Sequence, residues 1–142
     1  MDFSTWTRVL ADRGLSVVPP SHAVPIDVWA LLAGTGALHF RCRGTAATLA
    51  VYEDAHLLLT EPEVSATCDC GAAHRIARAD SRVALRENAR PTTVATYDGR
   101  ADRGWTGHEA GLLGVAEAAE LFERLLTVVR PDLALTRQLV DA

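Results

Sequence analysis

The chain contains no lysine; all 14 of its basic residues are arginine. Together with abundant Ala, Gly and Val, this reads as a coding bias, so an Arg in place of a Lys carries little functional meaning here. Basic residues are outnumbered, giving a net charge of −4 and a pI near 5.7. A general nucleic-acid binder needs a basic face to neutralise phosphates, so that class is excluded. Cysteine is scarce and odd in number, at three, which excludes a complete disulfide framework. No apolar run approaches a membrane span, and "MDFSTWTRVLADRG" lacks the basic and apolar regions of a signal peptide. The expected location is the cytoplasm, where thiols stay reduced, with no membrane partner. Catalytic signatures are missing too. "LAGTGAL" has neither the Lys nor the spacing of a phosphate loop. There is no Gly-x-Ser-x-Gly elbow and no His-Glu-x-x-His.

What is present suits one ordinary globular domain: 142 residues, 49% hydrophobic and 23% charged. Apolar spacing predicts a first helix over 2–14, with Phe3, Trp6, Val9 and Leu10 on one stripe and Gly14 as its stop. "LSVVPPSHAVP" reads as a Pro-rich connector and "IDVWALLAG", 26–34, as a second short helix. Residues 1–36 thus read as a helical N-terminal arm.

From residue 37 the pattern turns to strands. In "ALHFRCR", Leu38, Phe40 and Cys42 share one face and His39, Arg41 and Arg43 the other. "ATLAVYE", "AHLLLTE", "EVSAT", "AHRIARAD" and "RPTTVATYDG" continue a sheet core over 37–104, with "SRVALREN" as a helical turn. Residues 105–142 read as C-terminal helices: a long one from Thr106 or Gly107 through Val129, stopped by Pro131, and a short one capped by Asp132. The expected fold class is α+β, a small mainly antiparallel sheet flanked by N-terminal and C-terminal helices.

The stretch "SATCDCGAAHRI" carries the most suggestive chemistry. On an extended chain Cys68 and Cys70 project to one face, so both sulfurs can reach one soft metal, and Gly71 lets the backbone turn tightly. The plain alternative is two buried small side chains. A zinc site needs four ligands. Cys68, Cys70 and His74 supply three, and Cys42 or His108 the fourth. Asp69 between the thiols is either a proton donor or a turn residue. His22, His39 and His56 have no nameable partner and read as surface residues. Trp105 reads as core or pocket wall.

The segment "EVSATCDCGAAHRIARADSRVALRENARPTTVATYDG" resembles the core of the organomercurial (alkylmercury) lyases at Val64, Cys68, Gly71, Ile76, Pro91 and Val94. "WTGHEAGLLGVAEAAELFERLL" is similar to that family's C-terminal helix at Trp105, His108, Leu113, Val115, Glu117, Ala118 and Leu121. The resemblance spans about residues 60–126. It implies cleavage of a carbon–mercury bond, with Cys68 as the capturing thiolate. The chain departs from the family in three places, one of them a Cys-to-Gly spacing that is one residue shorter. "TYDGRADRGW" stands where the family has its second catalytic cysteine, and Gly71 stands at its carboxylate position. Cys70 would then replace the missing thiol and Asp69 the missing acid.

Three readings follow. One is a lyase-like protein holding a soft metal or organometal, needing no resident cofactor. Another is a non-enzymatic module with structural zinc. The third is a small-ligand-binding accessory protein of a biosynthetic pathway, with Trp105 and Tyr97 as pocket walls. A homodimer is compatible with each.

Overall fold

An amphipathic helix starts the chain. The computed structural model describes residues 1–32, 35–54, 57–59, 64–67, 73–76 and 83–134, with backbone alone for 19–22, 57–59, 64–67 and 73–76. Helix α1 spans Phe3–Asp12, and the Asp2 carboxylate caps it by accepting from Thr5 N at 2.7 Å. Gly14, at φ +83°, ends it as expected. Trp6 and Leu10 are buried and Phe3 is half-buried, whereas Val9 is exposed. At about 100° per residue, Val9 falls on the opposite flank of Trp6 from Phe3 and Leu10.

Four strands follow as an antiparallel meander: β1 (Leu15–Ala23), β2 (Ile26–Leu32), β3 (Gly36–Arg43) and β4 (Ala46–Glu53). A later strand, β9 (Thr93–Asp98), returns beside β4, giving a five-stranded sheet in the order β1-β2-β3-β4-β9. Between them, β5 (Leu57–Leu59) pairs with β8 (Val83–Leu85), and β6 (Val64–Thr67) with β7 (Ala73–Ile76). The fold is α+β, an antiparallel sheet packed with an N-terminal and a C-terminal helix.

The expected helix over 26–34 and the expected Pro-rich connector are instead β2 and β1. The misreading has a physical cause. Ile26, Val28 and Ala30 face the helices at period two, but Leu31 is buried on the opposite face beside Val18 and Ala37. A strand buried on both faces near its end produces the run Ala30-Leu31-Leu32, which imitates a helical stripe. The prolines are tolerated because β1 is an edge strand, and the β1–β2 register shifts between Val18 and His22, across Pro19-Pro20. The N-terminal arm is therefore one helix plus two strands of the main sheet. Likewise "SRVALREN" holds strand β8 rather than a helical turn, with Asn88 at φ +66° just after it.

At the far end, Asp98 caps a short helix, α2 (Gly99–Asp102), accepting from Arg100 N at 2.9 Å. A 3₁₀ turn (Glu109–Leu112) precedes α3 (Val115–Val129). The long helix thus starts later than expected, because Leu113 and Gly114 are extended there. It ends before Pro131 as expected. Asp132 pairs with Arg130 at 2.9 Å; the helix expected after it falls largely in 135–142, outside the described residues.

The core lies between the sheet and the helices. Trp6 meets Phe40 and Phe122 edge-on, with centroids 6.2 and 5.7 Å apart, and Phe40 meets Phe122 at 5.3 Å. Arg13, after α1, pairs with Glu123 of α3 and donates to Leu133 O at 2.6 Å.

Candidate functional site

The sheet's other face carries polar and aromatic side chains in register. Antiparallel pairing sets Trp29 opposite His39, His39 opposite Ala50, and Ala50 opposite Val94, one row across four strands. The next row is Asp27, Arg41, Thr48 and Thr96. Side chains directly opposite each other touch. The Trp29 and His39 rings stack, with centroids 4.2 Å apart and planes within 2°, and Tyr52 lies 5.4 Å from Trp29.

His39 has a second anchor, since its Nε2 lies 2.7 Å from Asp27 Oδ1. An ionised carboxylate only accepts, so Nε2 carries the proton and donates. In the neutral ring Nδ1 then holds the lone pair. Stack and hydrogen bond together fix both the plane and the tautomer. Arg41 Nε is 3.8 Å from Asp27 Oδ2, too far for a hydrogen bond.

Ala50 is the small member of its row, and a hollow of about 270 Å³ lies there, lined by His39, Arg41, Thr48, Ala50, Tyr52, Pro91 and Val94. The terminal nitrogens of Arg41 and the hydroxyls of Thr48 and Tyr52 make no hydrogen bond among the described residues, so they are free to meet a ligand. This arrangement can stack a flat group, accept a proton and hold an anion.

Cys42 and His108, singled out from sequence as ligands, do not line the hollow. Cys68, Asp69 and Cys70 are outside the described residues, as is His56. The backbone of His74 sits in β7 opposite Ala66. Cys42 is buried, 1% exposed, on the helix side of β3. Burial, with a smaller contribution from Asp27's charge, pushes its thiol up to about 12. His108 is exposed at the cap position of the 3₁₀ turn and makes no capping bond with its side chain. It borders a cavity of about 240 Å³ with Pro25, Arg43 and Leu112. Cys42 lines a different one, of about 210 Å³. Among the described residues no group of three His, Cys, Asp or Glu is placed to hold a metal.

Tyr97 and Trp105, the expected walls, are buried against each other at 5.8 Å on the helix side. Tyr97 donates to Asp102, and Arg103 and Arg124 lie over its ring at 5.5 and 5.1 Å. They belong to the core, not to the hollow. His39, expected as a partnerless surface residue, is half-buried and doubly held. Asp27 and Trp29 were hidden by the helical reading of 26–34. The sequence signal for this face is the alternation that sets His39 and Arg41 on one side of β3. Among the described residues no helix is long and apolar enough to cross a membrane. Comparison with protein-family models, curated proteins and solved structures finds no match.

Proposed function

We propose that the protein binds a small organic molecule on the open face of its sheet, with His39 as the fixed hydrogen-bonding and proton-accepting group. The observation that carries this is the His39 ring, held by Asp27 and stacked on Trp29 at the wall of the hollow. Holding two partly exposed side chains in one geometry costs rotamer entropy. Sites built on strands in this way are pre-formed for binding. Ligand-observed NMR with a fragment library tests the reading. Binders should lose affinity at least tenfold in Ala50→Leu, which fills the hollow, and also in His39→Ala. Unchanged binding in Ala50→Leu would sink the proposal.

A second reading, the soft-metal site, is favoured by one observation. Strands β6 and β7 pair with Thr67 opposite Ala73, and opposed residues in such a ladder lie about 5 Å apart. Thr67 and Ala73, the residues that flank Cys-Asp-Cys-Gly-Ala in the sequence, are therefore close neighbours. Cys68 and Cys70 would capture the metal as thiolates. In the lyase version Asp69, standing in for the acid that the resembled family has at the position of Gly71, would protonate the carbon as the carbon–mercury bond breaks and mercury stays on sulfur. In the zinc version His74 joins, with His108 as fourth ligand, since Cys42 is buried on the helix side as a neutral thiol.

Titrating Hg(II) into the reduced protein under native mass spectrometry should show one tightly held equivalent, lost in Cys68→Ser or Cys70→Ser. Cys42 should stay unalkylated by iodoacetamide at pH 8 until the protein unfolds, because burial keeps it a neutral thiol. An unfolded thiol ionises near pH 8.5, so the stability tied to Cys42 is complete below that pH. It is lost as pH rises from there toward about 12. Retained mercury uptake in both serine variants would eliminate the thiolate pair.

A further inference from the structure

We infer that the hollow takes a single-ring aromatic carboxylate, an assignment that rests on the ligand-binding reading above. His39 and Val94 stand on the strands either side of Ala50, two strand spacings or about 9.6 Å apart. A flat ring in van der Waals contact on both faces needs about 7–8 Å between its neighbours. One planar ring fits between the imidazole and the Val94 methyls, and two do not. Because one face of His39 is stacked on Trp29 in a nearly parallel plane, its other face is the wall the ligand meets.

Length is bounded as well. Tyr52 and Pro91 border one end of the hollow and Arg41 and Thr48 the other. The Arg41–Thr48 row lies two residues, about 6.7 Å, along the strands from the His39–Ala50 row. A carboxylate attached to the ring, plus a charge-assisted hydrogen bond of about 2.8 Å, spans that step. A hollow of about 270 Å³ is also just below the usual range of ligand sites, which run from about 300 Å³ upward, so it suits a small ligand.

Charge selects the anion. Arg41 presents its terminal nitrogens without a partner among the described residues, and guanidinium matches a carboxylate two-pronged. The Asp27 carboxylate is already engaged by the His39 N–H at 2.7 Å. A cationic ligand meets the like charge of Arg41 and finds only neutral acceptors along the lining, His39 Nδ1 and the hydroxyls of Thr48 and Tyr52.

The test titrates benzoate, benzyl alcohol, benzylamine and cyclohexanecarboxylate into the full chain, followed by amide and methyl NMR shifts. Benzoate should bind at least tenfold tighter than the other three and shift His39, Ala50 and Val94. Arg41→Gln should lose about tenfold for benzoate and leave benzyl alcohol unchanged, with spectra elsewhere preserved as the check on folding. Thr48→Val, which leaves the Arg41–Asp27 pair intact, should weaken benzoate in the same direction. Benzyl alcohol binding as well as benzoate, or Arg41→Gln without effect, overturns the carboxylate assignment and leaves the ligand site standing. If no probe shifts these residues and the fragment library yields no binder sensitive to Ala50→Leu, both readings fall.

Discussion

Phe40→Ala should lower the stability of the domain by about 4 kcal/mol, the range for emptying a buried aromatic site. Phe40 has no exposed surface and sits in a central strand. It is in edge-on contact with Trp6 of α1 and with Phe122 of α3. One side chain therefore joins the sheet to both helices, and its removal leaves a cavity that backbone in the sheet cannot collapse to fill. Against a total of about 5–15 kcal/mol for a domain, that loss leaves the variant marginal. Phe40→Leu keeps much of the volume and should cost clearly less, about 1.5 kcal/mol. Urea denaturation followed by tryptophan fluorescence measures both. A loss below 1 kcal/mol for the alanine variant, with unchanged denaturant slope, would mean that the three-ring contact does not hold the layers together.

The second large effect belongs to a glycine. Gly36 starts β3 opposite Glu53 at φ +154°, and a Cβ built there would lie 2.0 Å from the Tyr52 carbonyl oxygen. The atom it meets is backbone in a paired strand, so no side chain can swing away. Gly36→Ala must part β3 from β4 or distort the ladder, at a cost of about 3 kcal/mol from strain and overpacking combined. Gly14 is the control, since its φ is +83° but a Cβ there would meet nothing within 4 Å. Gly14→Ala bears only the conformational penalty, about 1 kcal/mol. Thermal unfolding should place the Gly36 variant about 10 °C below wild type and the Gly14 variant about 3 °C below it. Equal shifts would refute the close approach to Tyr52 as the cause.

Much of the fold was legible along the chain because each signal was local. The Phe3–Trp6–Leu10 spacing and Gly14 delimit α1. The alternation of "ALHFRCR" correctly separates Leu38, Phe40 and Cys42 from His39, Arg41 and Arg43, and the burial pattern follows it. Pro131 ends α3. The failures also share a cause, since burial overrode local pattern. The segment 26–34 reads as a helix because both faces of β2 are covered near its end. Pro19 and Pro20 looked like a linker because edge-strand status, which excuses a missing N–H, is not a local property.

The amino-acid sequence by itself determines the α+β class, the inward row of β3 and its outward row of His39 and Arg41. It also places two thiols one residue apart between two short strands. Periodicity and composition carry that information within a few residues. Only the tertiary structure decides that Trp29 lies against His39, that Asp27 holds its ring, and that Ala50 leaves room beside it. Those neighbours are 10, 12 and 11 positions from His39 in the chain. They meet because cross-strand partners are chosen by register, and register is set jointly by the turns and by which face each strand must bury.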